Sequence, residues 1–302
     1  MTDPRGFTGW IDDRVMAIFA PQPIVRLEVI RILASLAIVG FMLARIIHAD
    51  DWLSTDSFRV PAKAEDWRQP ASLPGLPPGL AWTLAITLGV AGLATAAGAF
   101  TRIASGVFFV LLTYVALADR LSAFTVSKIG PVIALVLFLT PSGSRWSVDA
   151  WRRKRRDPSY QPPDLVSGGC VRFFQVMLPV FYCSSGIRKA VGDWLPGRAT
   201  YSPYVLWTNL HDSYQTPVSW FLANHMPAFS WTVMQLVTLA FEVFAPIWFA
   251  VKWTRPYATG WALAMHLMIG LMFGPVIWFA LLMIALVAGS YLPESWLRRV
   301  LR

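Results

Sequence analysis

Eight apolar stretches run through this 302-residue chain, each close to the roughly 20 residues that cross a bilayer core. They cover about 27–48, 79–100, 103–118, 126–142, 170–190, 229–251, 256–273 and 276–292. Few folds accept such a pattern. In lipid, every backbone polar group must be bonded inside the protein, so runs of this length become helices. The charge content agrees. Only 14% of residues are charged and 56% are hydrophobic, whereas a soluble domain carries about 25% charge. Too few charges remain to cover a surface in water. A cytosolic enzyme, a disordered chain and a disulfide scaffold are excluded. The expected fold is all-α: a polytopic helical membrane protein with about eight transmembrane helices and a short interfacial lid. Residues 1–302 are expected to form a single domain with no large extramembrane domain.

The formal net charge of +9 would suggest nucleic acid in a soluble protein. Here the basic residues follow the membrane instead. The face of the N-terminus carries Arg5, Arg14, Arg26, Arg102, Arg145, the basic run in Trp151–Arg156, Lys252, Arg255, Arg298, Arg299 and Arg302. The other face carries only Arg59, Lys63, Arg68, Arg120 and Arg198. Such asymmetry marks the cytoplasmic side. Both termini are expected to be cytoplasmic, in the plasma (inner) membrane, with Trp151–Arg156 as an anchor near anionic lipid. No nucleic-acid partner is expected. Met1–Ala20 holds Asp3, Asp12, Asp13 and Arg14 with no clean apolar core, so no cleavable signal peptide is expected. Cys170 and Cys183, if on one helix, stand about 20 Å apart, too far to bridge.

Six basic residues fall inside the stretches: Arg31, Arg45, Lys128, Arg172, Arg188 and Lys189. Glu242 is the acid read with them. Charge at membrane depth is costly and marks a function or a pair. Arg172 can snorkel to the inner face. Arg45, Lys128, Arg188 and Lys189 all lie toward outer ends. Two readings stay open for these four: separate snorkelling, or one cationic pocket joined by His48 and His266. The pocket would take an anion, whether a headgroup, a carboxylate or an ionised quinol.

The outer segments are also informative. Residues 49–78 hold Pro61, Pro70, Pro74, Pro77 and Pro78 and read as irregular. Residues 191–228 are aromatic, with Trp194, Tyr201, Tyr204, Trp207, Tyr214, Trp220 and Phe221. Thr216-Pro217 reads as an N-cap with proline at the first helical position, opening a short helix to Met226. This stretch is expected to lie along the interface as a lid, or to be an aromatic belt. Pro246 removes the amide that would bond the carbonyl of Glu242, and Pro179 does the same to Gln175.

Lys189 ends a span in Tyr182-Cys183-Ser184-Ser185-Gly186-Ile187-Arg188-Lys189. A lysine kept from water, near other cations, becomes a base near neutral pH; a lysine at a span end otherwise snorkels. Arg188 and Lys189 point about 100° apart on a helix, so one of them faces inward. Glu242 and His266 sit mid-span, placed to pair with each other or with a cation. His48 and His266 also allow a haem reading. No phosphate loop, nucleophile elbow or zinc-protease motif occurs, and no metal site is expected.

These residues resemble a known family. Ser185-Gly186-Ile187-Arg188-Lys189, then Asp193-Trp194 and Gly197, is similar to a motif in the membrane core of vitamin K-dependent gamma-carboxylase, which defines the horizontally transferred transmembrane (HTTM) domain family. Trp146-Ser147-Val148-Asp149 resembles a second motif. His266, Phe273-Gly274 and Pro293-Glu294-Ser295-Trp296-Leu297-Arg298-Arg299 resemble the family's penultimate span and closing segment. The resemblance covers the chain from about 100 to its end, with a weaker fit before. It implies that Lys189 is the base that deprotonates a reduced quinone of vitamin K or menaquinone type. The cationic pocket read above suits a quinolate, with Arg188, Lys128, Arg45, Glu242, His266 and His48 as its supporting residues. Two departures limit the resemblance. The carboxylase's large lumenal domain, which holds its peptide substrate, has no counterpart here, and Thr125-Val126-Ser127-Lys128-Ile129 lacks a histidine the carboxylase has. The expectation is therefore quinol oxidation or epoxidation rather than protein carboxylation, with membrane lipid, quinone and a peptide or protein substrate as candidate partners. The alternative is a non-enzymatic membrane module that binds a lipid or assists maturation or export of a partner protein.

Overall fold

The structure, a computed structural model, describes residues 16–56, 73, 75–118, 125–197, 201–208, 210 and 215–300. Arg5, Arg14, Arg59, Lys63, Arg68, Arg120, Arg198, Arg302 and Tyr214 lie outside the described residues, as do Pro61, Pro70, Pro74 and the first fifteen residues. The chain gathers into two compact units, Pro21–Val166 with Leu297–Arg302, and Met1–Ala20 with Ser167–Trp296.

The first unit contains β1 (Gln22–Pro23), α1 (Val25–Ile46), α2 (Ala49–Trp52), α3 (Pro78–Ala97), α4 (Thr101–Ala118), α5 (Thr125–Leu139), α6 (Val148–Arg156) and β2 (Leu165–Val166). The long helices close a ring, with α1 packing on α3 and α5, and α4 completing the circuit. Leu27, Ile30 and Ile38 of α1, Leu88 of α3, Phe108 and Leu112 of α4 and Ile133 of α5 fill its centre. The outside is apolar too. Ile86, Val90 and Leu93 on α3, and Ile103, Val107 and Val110 on α4, form exposed stripes at helical spacing. Apolar stripes of this size on an outer face mark contact with lipid.

One end of this ring is locked by polar groups that the hydropathy pattern does not show. Arg31 is fully buried. Its guanidinium donates to the carbonyls of Ser142 (2.9 Å), Thr95 (2.9 Å), Ala96 and Trp146. Thr95 and Ala96 end α3, where carbonyls have no helical partner, so the cation completes a helix C-terminus. Glu28, one turn earlier on α1, accepts from the Trp146 amide at 3.0 Å. Gly98 turns the chain at φ 68°, and a Cβ there would meet Ser147 and the Arg31 guanidinium. Ser147 caps α6, and Asp149 accepts from the amides of Phe100 and Thr101 and from the Thr101 hydroxyl at 2.7–2.8 Å. Each polar member of Trp146-Ser147-Val148-Asp149 thus has a bonding task.

Burial alone would raise the Asp149 pKa. The hydrogen bonds from Thr101 and Phe100, with the charge of Arg153, outweigh it and hold the carboxyl below the usual range. A depressed folded pKa stabilises fully above the unfolded value and loses that contribution as pH falls through the folded one. Asp149→Asn is therefore expected to melt lower than wild type at pH 7, and the gap should close toward pH 3, as read by thermal unfolding in detergent.

The second unit contains α7 (Gly168–Val191), α8 (Val205–Thr208), α9 (Pro217–His225), α10 (Ala228–Val243), α11 (Ala245–Ala250), α12 (Arg255–Met272), a 3-10 turn at Gly274–Val276 and α13 (Ile277–Tyr291). A last helix, α14 (Glu294–Val300), follows. The expected stretch 229–251 is divided at Phe244 into α10 and α11. Pro246 is the cause: it has no amide for the carbonyl one turn back, and it sits in the first turn of the new helix. Pro179 does not break α7. The Gln175 carbonyl it deprives accepts from the Tyr291 hydroxyl instead, and the Gln175 amide donates to the Ser290 carbonyl at 2.7 Å. Thr216 caps α9 with a reciprocal bond to Ser219, as its sequence suggests. Its hydroxyl also donates to the Leu271 carbonyl, and Gln215 pairs with Phe273, tying α9 to the end of α12. Cys170 and Cys183 both lie on α7 and are free thiols.

The protein is a polytopic helical membrane protein. Among the described residues, α1, α3, α4, α7 and the run Gly274–Tyr291 are long and apolar enough to cross a bilayer, and α5 and α10 are apolar but shorter.

Candidate functional site

Lys189 ends α7, two turns after Tyr182, so the two share one helix face. Gln235 and Glu242 have the same seven-residue spacing on α10. The two faces meet at Gly186, which is buried. A Cβ there would stand 2.7 Å from the backbone nitrogen of Val243 and 2.9 Å from the carbonyl carbon of Glu242. Only glycine permits this approach. Gly186→Ala has to move backbone against backbone and is expected to cost about 1–3 kcal/mol by overpacking. Ser184→Ala, at an exposed position, should leave the melting temperature within about 1 °C of wild type. Thermal unfolding of the two variants makes the comparison.

The close approach lets the short Glu242 side chain reach the lysine. The Lys189 ammonium donates to both carboxylate oxygens, at 2.6 and 2.7 Å. Exposure is 28% for the Lys189 side chain and 7% for Glu242. The Trp194 ring lies 4.7 Å from the ammonium, within cation–π reach. Gln235 holds that tryptophan in place. Its side-chain amide donates to the carbonyls of Trp194 and Ser202, each at 3.0 Å, while Trp194 packs with Val205 and Leu239.

Deeper along the same face of α7, the Tyr182 hydroxyl and His266 Nε2 lie 2.8 Å apart. Both residues are almost fully buried. Tyr182 contacts Phe241 edge-on at 5.3 Å and stacks with Phe249, while Phe279 closes on the imidazole at 5.5 Å. His266 Nδ1 and Gln235 Oε1 have no hydrogen-bond partner among the described residues. A buried polar atom without a partner is costly.

Of the residues expected from the sequence, Lys189, Glu242 and His266 fall in this unit along one continuous set of contacts. Arg188 is on α7 too but exposed, so Lys189 is the one turned inward. Arg45, Lys128 and His48 belong to the other unit. There, Arg45 stacks on Trp52 at 4.6 Å, Lys128 is exposed, and His48 pairs with Asp51 at 3.2 Å. Tyr182 and Gln235 were missed. The seven-residue spacings Tyr182–Lys189 and Gln235–Glu242 were the available signal. Among the described residues, no group of three or more His, Cys, Asp or Glu is arranged to hold a metal ion.

No curated protein and no solved structure matches the chain. A family model does, over nearly its whole length and across both units. Residues 19–296 match the HTTM domain, and the chain belongs to that family of membrane proteins.

Proposed function

We propose that this protein oxidises a reduced quinone of vitamin K or menaquinone type at the Lys189–Glu242 pair. One observation carries the reading: a lysine in a carboxylase-like motif is held bidentately by an almost fully buried glutamate, beneath an aromatic ring. The Lys189 side chain, 28% exposed, is the member of this pair that a quinol oxygen can meet. An ammonium beside a developing quinolate stabilises it.

Lys189 must be the neutral amine to accept the quinol proton. Glu242 is the group placed to take the ammonium's proton beforehand, as its carboxylic acid, and to return it. Molecular oxygen is the oxidant. One oxygen atom enters the ring as the epoxide and the other leaves as water. The four electrons come from the quinol-to-quinone oxidation and from the ring double bond. Protein carboxylation is not part of the proposal. Arg188 stays a candidate electrostatic partner, and a peptide or protein substrate stays a candidate partner.

The location we infer is the plasma membrane with both termini cytoplasmic, on the basic asymmetry of the segments. The experiment is quinol-dependent oxygen uptake by the purified protein in nanodiscs. Uptake that needs quinol and stops in Lys189→Ala supports the reading. Equal uptake by wild type and variant refutes it and favours the alternative, a lipid-binding or partner-assisting module in which the ion pair only joins α7 to α10.

A further inference from the structure

A groove of about 760 Å³ opens beside the turn between α3 and α4, within the ~300–1,000 Å³ range of small-molecule sites. Its lining is mixed: Phe100, Ile103 and Leu139 are apolar and exposed, and Arg102, Arg152, Arg153 and Arg156 stand among them. Three of these arginines lie over aromatic rings, Arg152 on Phe100 at 4.7 Å, Arg102 on Phe138 at 5.9 Å and Arg153 on Tyr160 at 5.9 Å. Asp149 is the one carboxylate of the lining, and both its oxygens are already bonded to Phe100 and Thr101. Among the described residues, none of the four guanidinium groups stands within ion-pair distance of a carboxylate.

The groove is placed where α4 starts and α5 ends, on the face that the basic residues mark as cytoplasmic. It therefore meets the level at which hydrocarbon gives way to headgroups. Four guanidinium groups against one occupied carboxylate call for an anion of two or more negative oxygens, and guanidinium forks match phosphate. The exposed apolar residues of the lining call for something more than a free ion. We propose that this groove binds one anionic phospholipid, its phosphate among Arg102, Arg152, Arg153 and Arg156 and its acyl chains along the exposed apolar side chains of α4.

The test is native mass spectrometry of the detergent-purified protein, mixed separately with phosphatidylglycerol, phosphatidylcholine and inorganic phosphate. Phosphatidylglycerol is expected to be retained over phosphatidylcholine. The double variant Arg102→Gln/Arg152→Gln should lower that retention at least about fivefold. Lys154→Gln/Arg155→Gln removes the same amount of charge from α6, at residues outside the groove lining, and should leave it unchanged. Arg156→Gln, at the exposed end of α6, should also lower retention, and it serves if the double variant loses its size-exclusion peak. Equal loss in both double variants would show diffuse attraction and overturn the site. So would equal retention of the two lipids, or displacement of phosphatidylglycerol by millimolar phosphate, which would make the ligand the free anion.

Discussion

Lys189→Ala is expected to abolish quinol-dependent turnover; it leaves the buried Glu242 without its cation, so the variant should melt lower than wild type, while the α7–α10 contact at Gly186 stays in place. Under the proposed mechanism the loss reaches background, because the proposed base itself is removed. Glu242→Gln separates two roles of the pair. The amide still accepts one hydrogen bond from the ammonium but cannot take its proton. If the glutamate carries the proton, turnover falls by roughly 10²–10⁴-fold, the usual worth of acid–base catalysis. If it only positions the lysine, the fall is small and kcat is nearly kept. Lys189→Arg keeps the charge and the bond to Glu242 but cannot become a neutral base, so it should behave like Lys189→Ala. Oxygen uptake across the three variants, with a size-exclusion profile for each, reads all of this.

Arg31→Met is the second large effect, and it is one of stability. The substitution matches the apolar stem and removes only the guanidinium. It leaves the carbonyls of Ser142, Thr95, Ala96 and Trp146 without their shared donor and leaves the buried Glu28 with Arg145 as its remaining nearby cation. Breaking a buried charged cluster by removing one partner costs about 3–5 kcal/mol. Arg31→Lys should recover little, because one ammonium cannot span four carbonyls that a planar fork reaches. Thermal unfolding in detergent, followed by size-exclusion, should show both variants melting far below wild type. Melting of Arg31→Lys at the wild-type temperature would show that charge alone suffices and that the fork geometry is dispensable.

The hydrophobic stretches made the helices legible, because the bilayer allows an apolar run little else to become. The start of α9 was legible for a local reason: Thr216 and Pro217 are a cap and a first-turn residue wherever they occur together. Pro246 announced a disturbance, but whether a proline kinks or divides a helix depends on its neighbours. Pro179 shows the other outcome, since the Tyr291 hydroxyl serves the carbonyl that the proline leaves bare. Arg31 was visible as an embedded charge, yet its task was not, because its four acceptors are backbone carbonyls and carry no sequence signal. The same holds for Asp149, which bonds amides.

In the candidate site, the motif around Lys189 pointed to the lysine, and the 100° step between adjacent helical residues implied that only one of Arg188 and Lys189 turns inward. Which residue would answer it was open. Glu242 is 53 positions further on, and its reach depends on Gly186 admitting α10 to contact with α7. Tyr182 and Gln235 look like ordinary polar residues in apolar helices until the seven-residue spacing is set beside their partners.

The most direct test of the central claim uses heavy oxygen. The purified protein in nanodiscs is given a reduced menaquinone under ¹⁸O₂, and the quinone products are analysed by mass spectrometry beside those of Lys189→Ala. The account predicts a quinone epoxide carrying one heavy oxygen atom from the wild type and none from the variant. Unlabelled quinone alone, or the same labelled product from both proteins, would contradict it.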